Sequence, residues 1–229
     1  MRQGEPVTRG FTSIRISRLA RVLEQVVPPI RDPRVELEQY TTPSETALRV
    51  AFDLVNRIPD ATIADLGAGT CRLALASLLV GARMVVAVDV DPRFPLQCLR
   101  AAEKLGFADS VTYVVSWIEP NRGPLKPGVF DAIVTNPPFG VHRRGADWAI
   151  LRYAISLKPK LVYAILKSGN LEFHKRVAES LGYEAVKLWT EEFPIPASMA
   201  HHRSRIRRVA VDVIRFERIS SSRHAPLRA

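Results

Sequence analysis

Cysteine is scarce in this chain, with two residues in 229. Cys71 and Cys98 are not spaced as a close metal-ligand pair, and no Cys/His cluster accompanies them. His201-His202 resembles a metal pair only superficially, because adjacent residues point to different sides and no third ligand is at hand, so no metal site is expected. Both cysteines fall within predicted helices and read as reduced core or near-core residues of a cytosolic protein. No stretch approaches the ~20 apolar residues of a membrane span. The N-terminus carries Arg2 and Arg9 but no apolar run of the secretory kind, so a cytoplasmic protein without a membrane partner is expected. No internal repeat is present. Negative charge is also short: 23 acidic residues stand against 33 basic ones, giving a net charge of +10 and a pI of about 10.1. That balance points to an anionic partner. Most of the basic residues are Arg, which pairs with phosphate and stacks on bases.

What is present is enough apolar sequence for a real core, 47% of the chain, at a length that suits one domain with short extensions. Residues 1–13 read as a mobile N-terminus, 14–217 as a single domain opening on a helical extension, and 218–229 as a flexible tail. Apolar residues at helical spacing predict a helix over Ile14–Val27, ended by Pro28-Pro29. A second helix is predicted over Ser44–Arg57. Strands are then predicted near Thr62–Leu66, Met84–Val88, Val111–Val115, Phe130–Thr135, Leu161–Leu166, Tyr183–Glu191 and Ile206–Phe216. Helices fall between them near Leu73–Leu79, Phe94–Leu105, Asp147–Leu157 and Leu171–Leu181. The alternation implies a seven-stranded, mostly parallel α/β sheet with helices on both faces. The last two strands have no helix between them and predict an antiparallel finish.

Two motifs stand at predicted strand ends, where open α/β sheets bind ligands. Asp65-Leu66-Gly67-Ala68-Gly69-Thr70 follows the first strand and precedes a helix, and its glycines allow a tight turn and close backbone approach. Asp89 ends the second strand about twenty residues on, a spacing that suits a carboxylate on a ribose. Asp65 either braces the glycine loop or touches the ligand, and Asp91 reads as a cap for the following helix. The second motif, Asn136-Pro137-Pro138-Phe139, ends the fourth strand. Neither proline can donate a backbone N–H, so the segment offers an amide, free carbonyls and an aromatic ring. An amide oxygen and a carbonyl can hold an NH2 group while the ring stacks on a flat base. Arg143 and Arg144, beside this motif, and Arg203, Arg205, Arg207 and Arg208 read as a phosphate-contacting surface.

The motif set resembles a known family. Leu-Glu-Gln-Tyr at 37–40, Asp-Leu-Gly-x-Gly at 65–69, Asp-x-Asp at 89–91, Asn-Pro-Pro-Phe-Gly at 136–140 and Val-Asp-Val-Ile-Arg-Phe at 211–216 occur together. They resemble the archaeal and eukaryotic methyltransferase-like family that makes N6-methyladenosine in small-subunit ribosomal RNA. The resemblance spans roughly residues 14–217. It implies a class I, Rossmann-like methyltransferase fold and S-adenosyl-L-methionine as donor. It places Gln39 and Thr42 over the cofactor, Gly67 and Gly69 under it, Asp89 on its ribose, and Ser116 or Trp117 by its adenine. Asn136, Pro137, Pro138 and Phe139 become the acceptor site. The resemblance also brings a small zinc-binding activator protein as a partner, hence a monomer or a heterodimer. This sequence departs from the family in three places: Cys71 stands at the third glycine, Thr41-Thr42-Pro43-Ser44 replaces Pro-Thr-x-Pro, and Ser116 replaces an acidic residue.

Three other functions use the same residues. A guanine-N2 ribosomal RNA methyltransferase fits Asn-Pro-Pro-Phe. A glutamine-N5 protein methyltransferase faces the same problem of an unreactive planar nitrogen, although such enzymes carry Tyr at the position of Phe139. A non-catalytic RNA-binding protein would have the basic surface with a vestigial cleft.

Overall fold

The computed structural model describes residues 8–140, 145–196 and 206–219. Seven strands form one sheet in the order β3-β2-β1-β4-β5-β7-β6. They are β1 (Thr62–Leu66), β2 (Met84–Asp89), β3 (Val111–Val115), β4 (Ala132–Thr135), β5 (Leu161–Lys167), β6 (Tyr183–Pro196) and β7 (Ile206–Arg218). The first five pair parallel, and β7 runs antiparallel to both β5 and β6. This is the seven-stranded class I methyltransferase plan expected from the alternation of strands and helices.

The central strands are buried on both faces, which is why β4 and β5 read as continuous apolar runs. Successive side chains alternate between two cores. Ile63, Val134 and Ile165 join one core, and Ala64, Ile133 and Leu166 join the other. The first is covered by α1 (Thr8–Val26), α2 (Ser44–Arg57), α3 (Arg72–Leu79) and α4 (Pro95–Lys104), the second by α5 (Ala146–Ser156) and α6 (Leu171–Ser180). Helix α1 starts at Thr8 rather than Ile14, and buries Ala20, Leu23 and Val27 under α2 and α3. The remaining helix and strand boundaries fall within a few residues of those expected, except that β6 runs on to Pro196.

That longer strand matters for the site. The registers Glu192↔Ala210 to Pro196↔Ile206 lie past Lys167↔Val211, where β5 stops. The β6–β7 ribbon therefore projects beyond the sheet at the C-terminal end of β5, beside the Asn136 motif. Arg207 and Arg208 belong to it, and Arg208 is exposed with a loose ion pair to Glu192 at 3.6 Å. Arg143, Arg144, Arg203, Arg205, His201 and His202 lie outside the described residues, as do most of the N-terminal and C-terminal stretches read as mobile. No helix among the described residues is long and apolar enough to cross a membrane.

The cysteines differ from expectation. Cys71 and Cys98 form a disulfide, with Cα atoms 5.6 Å apart. Cys71 is not inside a helix: it is the N-cap of α3, in the left-handed region at φ 68°. The pair was invisible as a pair because its proximity is made by the sheet. β1 and β2 are neighbours, and the elements that follow them, the glycine loop and α4, lie on the same face.

Candidate active site

The cleft sits at the C-terminal edge of the sheet, where β1, β2 and β4 end. Gly67, Gly69, Asp89, Trp117, Asn136 and Pro138 are among the residues that line it. The glycine loop is fixed from below, because the Gly67 and Ala68 N–H groups donate to the Val88 carbonyl at 2.8 and 3.0 Å. Gly67 and Gly69 both adopt positive φ, which favours glycine there. A Cβ at Gly69 would meet no atom within 4 Å, so the space over the loop is open to a ligand.

Asp89 is held by the loop it serves. Its Oδ2 accepts from Gly69 N–H at 2.8 Å, and its Oδ1 from Asp91 N–H at 2.9 Å. Burial raises its pKa, and those two bonds oppose the rise. Each carboxylate oxygen retains a second lone pair for a hydroxyl ligand. Asp65 has a double role. Its Oδ2 accepts from the Ala74 N–H in α3, at 3.0 Å, and its buried Oδ1 has no partner. Burial pushes its carboxyl up to about 7, with the nearby Asp89 charge adding to the rise. A cationic ligand would relieve both the missing bond and the cost of ionisation.

Asn136 shows the same deficit on the acceptor side. Its Nδ2 donates to Thr42 Oγ1 at 2.9 Å, while its Oδ1 is buried and unpartnered. Only three buried side-chain polar atoms among the described residues lack a partner, and the Asp65 and Asn136 oxygens are two of them. Both residues line one small cavity with Thr42 and Gly67, continuous with the cleft through Gly67 and Gly69. Unpaired buried acceptors are costly, so their convergence marks a place for a donor-bearing ligand.

Other expected site residues take different parts. Gln39 borders the cleft, but its amide is spent within the protein. Nε2 donates to Asp91 at 2.8 Å, and Oε1 accepts from Arg34 N–H and Arg93. Asp91 is not a helix cap, since α4 begins at Pro95 behind Phe94. It is instead a buried anchor for Arg93 and Gln39, and the Arg93 guanidinium lowers its pKa strongly. Ser116 turns its hydroxyl to the Trp117 carbonyl, whereas the Trp117 ring is substantially exposed at the cleft. The Pro137 carbonyl accepts from the Tyr40 hydroxyl at 2.7 Å. Phe139 is buried, and one of its faces is already stacked on Tyr40.

Two residues that hold the site were not singled out from sequence. One is Tyr40. The other is Arg72, a buried arginine at the start of α3 whose guanidinium donates to the carbonyls of Val27 and Thr42. It ties the end of α1 to the loop that carries Thr42, and the Glu24 carboxylate lies 3.4 Å away. An arginine opening an otherwise apolar helix is the one signal that pointed to it.

Comparison with known proteins agrees with this geometry. The family model for ribosomal protein L11 methyltransferase (PrmA) matches residues 46–136, from α2 to the first residue of the Asn136 motif. Over nearly the whole chain the relatives are different. The Drosophila melanogaster rRNA N(6)-adenosine-methyltransferase Mettl5 is 28% identical over 84% of this chain and 92% of its own length. The Danio rerio counterpart is 27% identical over 89% and 99%. The crystal structure of a "putative RNA methyltransferase PH1948 from Pyrococcus horikoshii" superposes with a TM-score of 0.77 at 28% identity, covering 91% of this chain and 98% of that one. The chain is similar to these full-length relatives over most of its length, and it is a methyltransferase.

Proposed function

We propose that this chain transfers a methyl group from S-adenosyl-L-methionine to the exocyclic N6 of an adenosine in small-subunit ribosomal RNA. The observation that carries the reading is the buried, unpartnered Asn136 Oδ1 at the end of β4, fixed in place by Thr42 and facing the same cavity as the Asp65 carboxyl. The full-length relatives named as rRNA N(6)-adenosine-methyltransferases support the choice of acceptor.

The residues fit the donor. Gly67 and Gly69 give it open backbone, Asp89 a ribose contact, Asp65 an anionic neighbour, and Trp117 an exposed ring beside its base. When bound, S-adenosylmethionine supplies a sulfonium whose methyl carbon is already electrophilic. The difficulty lies with the acceptor, because the N6 lone pair is delocalised into the ring. Asn136 Oδ1 accepts one amino hydrogen. The Pro137 carbonyl, which has two lone pairs, accepts the other. Held this way, the nitrogen leaves the ring plane and its lone pair turns toward the donor. The nitrogen's proton is acidic once the bond to carbon forms, so water can take it and no strong base is required. Orientation and fixed dipoles supply the rate. Phe139 backs the unpaired base. The projecting β6–β7 ribbon, with Arg207 and Arg208, lies where RNA phosphates would pass. A small activator protein as partner and a cytoplasmic setting belong to the same reading.

The family-model match brings a protein acceptor into view, but it ends at Asn136 and leaves Pro137–Phe139 unmatched. The test is methylation of purified small-subunit rRNA with labelled donor, followed by nucleoside analysis, with a ribosomal protein fraction in parallel. N6-methyladenosine is expected. N2-methylguanosine, or label confined to protein, would replace this reading.

A further inference from the structure

We propose that Tyr40 is the second plate of an aromatic slot for the acceptor base, with Phe139 as the first. The inference rests on the adenosine reading and adds a binding role for a residue of the 38–43 loop. The structure shows the slot closed. The rings of Tyr40 and Phe139 stack with centroids 4.5 Å apart and planes 29° apart, and Phe193 packs on Tyr40 edge-on at 6.5 Å. The Tyr40 hydroxyl donates to the Pro137 carbonyl at 2.7 Å. The tyrosine thus fills both positions that a flipped adenine needs: the face of Phe139, and a lone pair of the carbonyl that takes an amino hydrogen.

A base stacked on both rings requires their planes to part to about 7 Å, an opening of roughly 2.5 Å. Tyr40 is placed to give that space. It belongs to neither a helix nor a strand, and Glu38, two residues earlier, is in the left-handed region at φ 49°. Tyr40 also borders a cavity of about 780 Å³, together with Arg21, Thr46 and Glu191. The ring can retreat toward that cavity, where Arg21, Thr46 and Glu191 offer polar groups to its hydroxyl. The exchange is balanced at the carbonyl, where a tyrosine O–H is replaced by an adenine N–H. Stacking on both faces also favours a ring base over an amide side chain, whose small plane offers little area to stack.

The test is steady-state methylation of a small-subunit rRNA transcript by wild type, Tyr40→Phe and Tyr40→Ala, with donor affinity as a check on the fold. Tyr40→Ala should raise the RNA KM about five- to a hundredfold, the usual cost of losing one stacking ring. Tyr40→Phe keeps the plate and should hold KM within about twofold of wild type. Donor affinity should not change in either. If Tyr40→Ala is inactive, its affinity for the same transcript by filter binding must fall by a similar factor. Wild-type KM or RNA affinity in Tyr40→Ala overturns the slot while leaving the adenosine reading intact. So does equal damage in both variants, which would assign the effect to the hydroxyl alone. A wild-type enzyme that makes no N6-methyladenosine overturns both.

Discussion

The two halves of the cleft are held by different means. On the donor side, a covalent bond and backbone hydrogen bonds fix the glycine loop. Cys71 is joined to Cys98, Asp89 receives the Gly69 N–H, and Val88 receives two more N–H groups. On the acceptor side, the Asn136 motif is held from outside the sheet. Thr42 receives the Asn136 amide, Tyr40 holds the Pro137 carbonyl, and Arg72 holds the Thr42 carbonyl in turn. On the proposed reading the donor half can be rigid, since every turnover uses the same donor. On that reading the acceptor half must admit a nucleotide drawn from a large RNA, and single side-chain bonds would allow it to open.

The sharpest way to separate the halves is Asn136→Ala. Turnover should fall about a hundred- to a thousandfold, the usual effect of removing one preorganised polar group, while donor affinity stays within about twofold. Single-turnover methylation together with donor titration checks this. Near-normal turnover would mean that the orphaned oxygen is not the acceptor contact. Next is the disulfide. Cys98→Ser opens a closure 27 residues apart in sequence and should cost about 3 kcal/mol of stability in urea unfolding. A reductant should produce the same loss in wild type and none in the variant. Unchanged donor affinity in Cys98→Ser would show that the bridge serves the fold more than the loop.

Asp89→Ala should weaken donor binding by about tenfold or more, because it removes a charged hydrogen-bond acceptor. RNA affinity should change little. Calorimetry giving wild-type donor affinity would remove Asp89 from the cleft's working set. The smallest effect is expected at the ribbon. Replacing Arg207 and Arg208 with Ser should weaken RNA binding modestly and flatten its salt dependence by about one to two units of slope. An unchanged slope would put the phosphate surface on another face.

The same contrast explains what could be read from sequence. Part of the donor half rests on bonds between near neighbours in the chain, such as Asp65 to Ala74 and Asp89 to Asp91, and local motifs encode such bonds; its disulfide and its glycine-loop bonds to Val88 and Asp89 span 20 residues or more. The sheet followed from strand and helix periodicities for a similar reason. The acceptor half depends on residues far apart in sequence: Tyr40 meets Pro137 at a separation of 97, and Thr42 meets Asn136 at 94. No spacing rule carries that information. It is why the sequence shows neither the Phe139 face taken by Tyr40 nor the Gln39 amide spent on Asp91, nor the roles of Tyr40 and Arg72. The disulfide joins residues 27 apart on different elements, so the sequence gives no sign of it either.

The strand order has a further consequence, for synthesis. β7, the last strand among the described residues, is not an edge strand: it lies between β5 and β6. A nascent chain that has emerged only through β6 has an unpaired edge on β5 and a strand with no neighbour. That part of the sheet can therefore close only once β7 has emerged, after β1 to β4 have been free to pair for many residues. Nascent chains that stall short of Ile206 should recruit chaperones, and those that stall past Arg218 should not. This thirteen-residue strand thus sets when the sheet loses its exposed edge on β5.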